Sequence, residues 1–315
     1  MKISVIVPTF NAERTIEKCL NALKKQTYKN FEVIVVDGSS TDNTVKVIEG
    51  KFDAKLKRWR SSGPGEKRNV GAKMAKGEIL LFLDSDLALC KDGVKELVKV
   101  FEKVDADGIT GTPFTPKDSG TLDYIVGLDY EYRFEKMGES FVDVAATTIF
   151  AIKKKVFFKI GGFDVRFKRA TGEDWDFSAK MRKKGFTIFH TQKVKGYHYT
   201  AERVCPYLKK QYHHAKYRVE HAMEHKQTAD QYTKPYMIIQ SFLWLLMLFF
   251  IFSPPLFILI FLITILWNMP EAIELYRRTG DARLLLLIPL SSVRSIYWLA
   301  GAIVGFIELL GGRKD

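Results

Sequence analysis

The chain has 315 residues, 47% of them hydrophobic, with 49 Lys and Arg against 36 Asp and Glu for a formal net charge of +13. That length holds one large or two ordinary domains. The basic residues are dispersed and are not interleaved with aromatics in an RNA-binding pattern, which argues against nucleic acid as a partner. Three cysteines, Cys19, Cys90 and Cys205, lack metal-type spacing and cannot all pair, which fits a reducing compartment.

In chain order, residues 3–7 read as a strand entered directly from the amino terminus, with no charged and apolar leader, so the head is expected in the cytoplasm. Residues 13–25 place Ile16, Cys19, Leu20 and Leu23 at helical spacing, and 31–36 form a second β-rich run. A helix over 41–48 follows, entered through Ser39-Ser40-Thr41-Asp42, which supplies several N-cap residues. A third helix is predicted over 65–75, then a buried strand over 79–83 and a helix near Lys91. This alternation predicts an α/β fold, a Rossmann-like and mostly parallel sheet flanked by helices.

Beyond about residue 232 the composition changes. The run 236–267 is interrupted mainly by Gln240, Ser241, Ser253, Thr264 and Pro254-Pro255, and 284–310 carries only Arg294 and Glu308 as charges. Each suffices to enter a bilayer, which takes roughly 20 apolar residues per helix. The prolines either split the first run into a hairpin of two short helices, the preferred reading, or kink one long helix. A hairpin returns Tyr276-Arg277-Arg278 and Arg283 to the side of the head. Arg294 must then face protein, a phosphate or a water-filled cleft, or snorkel to the interface. The expected organisation is a head over 1–200, a basic interfacial segment over 201–233 and two or three membrane-inserted helices over 234–315. The protein is thus expected in the cell membrane, multi-pass, with its head cytoplasmic.

In a parallel sheet the carboxyl ends of the strands share one crevice. The residues that follow them are Pro8-Thr9-Phe10-Asn11, Asp37-Gly-Ser39-Ser-Thr-Asp42 and Asp84-Ser85-Asp86. Two carboxylates one residue apart suit Mg²⁺ or Mn²⁺, which prefers hard oxygen ligands and leaves room for phosphate oxygens. A nucleoside diphosphate needs such an acid and such a cation, and Lys67-Arg68-Asn69 can add contacts to it. The plainer alternatives are that Asp37 forms a turn and that the Asp-x-Asp pair is a strand-to-loop corner capping the next helix.

Ser4-Val-Ile-Val-Pro-Thr-Phe-Asn11, Val35-Val-Asp-Gly-Ser-Ser-Thr-Asp-Asn-Thr44, Lys67-Arg-Asn69 before Gly71, and Phe82-Leu-Asp-Ser-Asp86 resemble the donor site of family 2 glycosyltransferases of GT-A fold. The resemblance continues through Gly161-Gly-Phe-Asp164 and Gly172-Glu-Asp-Trp-Asp176, over residues 1–200. It implies donor binding by Pro8, Thr9, Asn11, Asp37, Ser39, Lys67, Arg68, Asp84 and Ser85, with Thr9, Asp37 and Arg68 at the nucleoside. It implies metal binding at Asp84, Asp86 and, near the end of the region, His198. Asp174 matches the base that deprotonates the acceptor, with Glu173 as the alternative. Helix-terminus preference is the plain reading of that acidic run.

The implied activity is an inverting, metal-dependent transfer from a UDP- or GDP-sugar to a lipid-linked or other glycolipid acceptor, in glycolipid or polysaccharide synthesis. The basic residues Arg203, Lys209, Lys210, Lys216 and Arg218 can hold the acceptor phosphate or meet lipid headgroups. No Gln-x-x-Arg-Trp signature of processive synthases follows, since Gln211 begins Gln-Tyr-His-His-Ala. Two other readings stay open: a sugar-phosphate nucleotidyltransferase, and a non-catalytic membrane scaffold with a nucleotide-sugar-binding domain.

Overall fold

The computed structural model describes residues 1–61, 63–200, 203–225 and 235–311. The chain divides into two compact units, one of Met1–Ser119 with Glu131–Thr200, the other of Gly120–Tyr130 with Ala201–Asp315. The expected boundary between a basic segment and the apolar region, near residue 233, lies outside the described residues.

The first unit runs β1 (Ile3–Thr9), α1 (Ile16–Lys24), β2 (Phe31–Asp37), α2 (Thr44–Lys51), β3 (Lys55–Arg58), α3 (Pro64–Met74), β4 (Ile79–Leu83), β5 (Leu87–Leu89), α4 (Gly93–Lys103) and β6 (Gly108–Phe114). Next come α5 (Thr121–Met137), whose first half belongs to the second unit, then β7 (Ser140–Phe141), β8 (Ile149–Lys153), α6 (Lys154–Lys159), α7 (Glu173–Lys183) and β9 (Ile188–His198). Among the described residues the strands form one sheet, ordered β3-β2-β1-β4-β8-β6-β9-β5, with β7 on β9.

The pairs β1–β2, β1–β4, β2–β3 and β6–β9 are parallel, whereas β4–β8, β6–β8, β5–β9 and β7–β9 are antiparallel. The sheet is therefore mixed, which corrects the expectation of a mostly parallel one. Parallel order holds where helical crossovers link the strands, over residues 3–83. It ends at the short turn after β4, because a parallel return needs a crossover of a dozen or more residues. The edge strand β3 was not expected, since Lys55-Leu-Lys-Arg58 carries one apolar residue.

Both faces of the central strands are buried, as covered parallel sheets require. Ile3, Val5, Val7, Leu81 and Leu83 pack with Ile16, Leu20 and Leu23 of α1 and Val94 and Leu97 of α4. The alternate residues Ile6, Ile34, Val36 and Phe82 pack with Ala72, Phe157, Phe177 and Met181. Phe163 stacks on Phe177 at 4.3 Å between centroids and meets Phe82 edge-on at 5.4 Å. Helix α3 reaches the sheet at Gly71, where a Cβ would overlap the Ile6 side chain.

The second unit contains α8 (Val204–His225), α9 (Pro235–Phe249), α10 (Pro254–Leu266), α11 (Met269–Thr279), a 3-10 turn (Ala282–Leu286) and α12 (Leu287–Leu310). The chain breaks before Pro254, as the hairpin reading expects, and α9 and α10 run antiparallel: Gln240 Nε2 donates to Thr264 O at 3.1 Å, and Trp244 lies 6.4 Å from Phe261. Helix α12 lies along α8, with Trp298 Nε1 donating to Gln211 Oε1 at 3.0 Å and Lys216 paired with Glu308 at 2.6 Å. Arg294 faces protein: its guanidinium meets Asp129 at 2.8 Å, Ser291 Oγ at 3.1 Å and the Tyr207 hydroxyl at 3.5 Å. By length and composition, the helical stretches Pro254–Thr279 and Ala282–Leu310 suit a membrane.

Candidate functional site

At the rim formed by β1 and β2, backbone turns fix the side chains. Asn11 and Ser39 adopt positive φ, 49° and 68°, conformations an L-residue takes at a cost. Asn11 stitches the two loops together: its N–H donates to Ser40 Oγ at 2.8 Å, and its Oδ1 accepts from the Thr41 N–H at 2.8 Å. Pro8 lies within β1 opposite Val36. Asp37 is buried and accepts from both the Ser40 N–H (3.0 Å) and the Ser40 hydroxyl (2.5 Å), so it shapes the turn whatever else it does.

The Thr9 carbonyl accepts from the Gly38 N–H at 2.8 Å and from Lys67 Nζ at 3.1 Å. The Thr9 hydroxyl is buried and has no hydrogen-bond partner among the described residues. A buried polar atom left in that state asks for a ligand or water. Burial and the neighbouring Arg68 both pull the Lys67 ammonium below its usual range, while Asp37 and Asp84 oppose them.

A second group gathers where β4 ends, α7 begins and β9 ends. Arg68 is buried, and its guanidinium forks between Asp84 Oδ1 at 2.9 Å and Glu173 Oε1 at 3.0 Å. Arg68 thus bridges two acidic motifs, a pairing that sequence reading did not anticipate. The Asp84 N–H donates to the Thr148 carbonyl at 3.2 Å, holding the 143–148 loop against this end of the sheet. Ser85 and Asp86 form the turn into β5. The register Leu87↔His198 between β5 and β9 brings the His198 imidazole to 3.3 Å from Asp86, and the Tyr199 N–H donates to the Asp86 carbonyl at 2.7 Å. Strand β5 also removes the helix-capping alternative, since α4 starts at Gly93 with Asp92 as its N-cap.

Glu173 and Asp174 open α7, behind Gly172 at φ 93°. Burial raises the carboxyls of both Asp84 and Glu173, and Arg68 pulls each back. Asp174 is half-buried, its Oδ1 accepts from the Trp175 N–H at 3.0 Å, and its carboxyl is pushed up to about 8 by burial and by the adjacent Glu173. Four carboxyls, Asp84, Asp86, Glu173 and Asp174, thus act on one another around the single guanidinium of Arg68.

The expected metal ligands Asp84, Asp86 and His198 all lie at this end of the sheet. Among the described residues no group of three or more His, Cys, Asp and Glu side chains is arranged to hold a metal ion. Arg68 engages Asp84, and the Asp86 carboxylate lies beside the His198 imidazole. The donor chemistry nevertheless fits a divalent cation, because this end of the sheet carries more acid than base and offers one carboxylate and one imidazole side by side.

The model of Glycosyl transferase family 2 matches residues 4–172. Similar curated proteins include the poly(ribitol-phosphate) β-N-acetylglucosaminyltransferase TarS of Staphylococcus aureus, 42% identical over 114 residues, which are 34% of this chain and 20% of TarS. An uncharacterized glycosyltransferase of Haemophilus influenzae is 30% identical over 196 residues, 57% of this chain and 61% of that one. The GalNAc(5)-diNAcBac-PP-undecaprenol β-1,3-glucosyltransferase of Campylobacter jejuni is 36% identical over 104 residues, 31% of this chain and 34% of that one. The chain therefore spans less than two thirds of each of these relatives.

Two solved structures share the fold along nearly the whole chain. The mannosyltransferase PcManGT from Pyrobaculum calidifontis, in complex with GDP-Man and Mn²⁺, has a TM-score of 0.59 and 19% identity, covering 97% of this chain and 87% of that one. S. aureus TarS 1-349 in complex with UDP-GlcNAc has a TM-score of 0.53 and 21% identity, covering 99% and 92%.

Proposed function

Because the chain belongs to Glycosyl transferase family 2, we propose that it transfers a sugar from a nucleoside-diphosphate sugar to a membrane-associated acceptor in one inverting displacement. The observation that carries this reading is the acidic end of the sheet, where Asp84 and Glu173 share Arg68 beside Asp86, His198 and Asp174. Thr9, Asn11, Asp37, Ser39 and Lys67 form the nucleotide rim, with Pro8 and Ser85 in its backbone frame and the Thr9 hydroxyl directed to the donor. The acceptor oxygen attacks the anomeric carbon while its proton passes to Asp174, and the carbon–oxygen bond to the nucleoside diphosphate breaks. A positioned carboxylate contributes about 10²–10⁴-fold to such a step.

Asp174 is favoured over Glu173 as the base, since Glu173 is committed to Arg68 at 3.0 Å while Asp174 remains half-buried. Asp86 and His198 are the residues suited to hold Mg²⁺ or Mn²⁺, with Asp84 beside them; when bound, the ion supplies positive charge to the departing diphosphate. The names of relatives point to acceptors of two kinds, poly(ribitol phosphate) and GalNAc(5)-diNAcBac-PP-undecaprenol. The apolar helices after residue 235 favour a lipid-linked acceptor at a membrane surface, with residues 1–200 on the cytoplasmic side.

The test is thermal stabilisation of the detergent-solubilised protein by UDP, GDP, CMP and their sugars, each with and without Mn²⁺, beside Asp86→Ala. One diphosphate is expected to raise the Tm in a metal-dependent way that the variant loses. No shift with any nucleotide would remove the donor assignment.

A further inference from the structure

We propose that the second unit enters one leaflet of a membrane and leaves it on the same side, rather than crossing it. The proposal rests on the membrane reading above and adds a topology to it.

The candidate spanning helix α12 carries two opposite faces. Ser291, Arg294, Trp298, Gly301, Gly305 and Glu308 recur every three or four residues along one side. Helices α5 and α8 meet that side: Arg294 reaches Asp129 of α5 at 2.8 Å, Trp298 reaches Gln211 of α8 at 3.0 Å and Glu308 reaches Lys216 of α8 at 2.6 Å. At Gly305 a Cβ would come within 2.7 Å of the Lys216 carbonyl, so the two helices touch backbone to backbone. From Ser291 to Glu308 this contact extends over roughly 25 Å at 1.5 Å per residue, nearly the whole thickness of a hydrocarbon core.

Were α12 to cross, α8 would have to cross with it, and α8 carries Lys209, Lys210, Lys216, Arg218, Glu220 and Glu224. Charged side chains at that depth are strongly disfavoured unless they pair, face the bundle interior or line a cavity, and Lys209 and Lys210 are exposed. The other side of α12, with Val293, Ile296, Ile303, Phe306 and Leu310, is exposed and apolar. That exposed side is the part of α12 available to acyl chains.

The hairpin agrees. By length alone the stretch Pro254–Thr279 can cross, so the chemistry of the hairpin tip decides. A hairpin that crossed would present a polar tip to water on the far side. This tip is apolar, with Ile251 55% and Phe252 97% exposed. At the other end of α10 stand Trp267, an aromatic of the type found at headgroup level, and then the exposed Arg277 of α11, suited to anionic headgroups.

The test uses the full chain with Cys19, Cys90 and Cys205 changed to Ser, carrying Phe252→Cys and a carboxyl-terminal epitope, reconstituted into sealed vesicles of anionic and neutral phospholipid. The measurements are flotation, reaction with a membrane-impermeant maleimide from either side, quenching of a fluorophore on the new thiol by doxyl lipids, and protease access to the epitope. Wild-type protein with the epitope alone, and Ile251→Cys, guard against a variant that fails to fold.

One-leaflet insertion predicts flotation, at least a tenfold fall in maleimide labelling against detergent, quenching by doxyl lipid, and an epitope cleaved from the side of the head. Labelling from the far side, or an epitope protected with the head exposed, overturns the topology while leaving the membrane reading intact. Failure to float, or a thiol labelled from the head side without lipid quenching, overturns the membrane reading itself and leaves the apolar surface to another protein or a second copy.

Discussion

At Asp174 burial and the neighbouring Glu173 act together to hold a proton. A carboxyl raised from 3.8 to about 8 binds its proton in the native state across a range where the unfolded chain has lost it. Native stability therefore falls as pH rises from about 4 to about 8. With Asp174 as the proposed base the rate has the opposite sign, because a base must be deprotonated. The kcat/KM is expected to rise close to tenfold per pH unit below about 8 and to level above it. Asp174→Asn should lose 10²–10⁴-fold of turnover, roughly the worth of a positioned base, keep nucleotide binding, and flatten the fall of Tm between pH 5 and pH 8. Rate profiles and unfolding of both proteins check this. If Glu173→Gln alone gives that phenotype, the base is Glu173. The acidic motif was legible in Gly172-Glu-Asp-Trp-Asp176, but the commitment of Glu173 to Arg68 was not, since those two residues stand 105 positions apart.

Arg68 joins three elements: it sits on α3 and binds the end of β4 and the start of α7. Breaking a buried pair by removing one partner leaves charge uncompensated, which costs about 3–5 kcal/mol. Arg68→Met is expected to lose that much stability at pH 7, and less near pH 5, where the freed carboxyls can take up protons. Arg68→Lys should recover only part of it, because an ammonium on a flexible stem does not fork to two carboxylates as a guanidinium does. Denaturant unfolding at the two pH values decides, and an unchanged midpoint in Arg68→Met would show that the bridge contributes nothing. Elements whose periodicity is local were readable from sequence: β4 has the predicted bounds, and α1 buries Ile16, Cys19, Leu20 and Leu23 as expected. Strand β3 was not, because an edge strand needs little apolar surface. The antiparallel partners of β4 and β5 also went unread, for pairing depends on register between residues about 70 or 110 positions apart.

On the proposed membrane attachment, the charge of +13 and the apolar helices of the second unit act on the same surface at different ranges. The composition break near residue 232 and the proline pair announced the apolar helices α9 and α10, whereas the face of α12 that α8 covers emerged only from packing. Basic residues near an anionic surface each contribute about 1 kcal/mol, over a distance set by the Debye length of roughly 10 Å at 0.1 M salt. Two or three exposed cations such as Arg277 and those of α8 correspond to about 30- to 140-fold in affinity. Vesicles containing anionic lipid are therefore expected to bind the protein that much more tightly than neutral ones at low salt, in a flotation titration. At 1 M salt, where the Debye length is about 3 Å, the difference should vanish while residual binding persists through Phe252 and the exposed face of α12. Equal binding to both kinds of vesicle at low salt would assign attachment to apolar burial alone, and the excess of basic residues would then need another role, such as drawing an anionic donor or acceptor from solution.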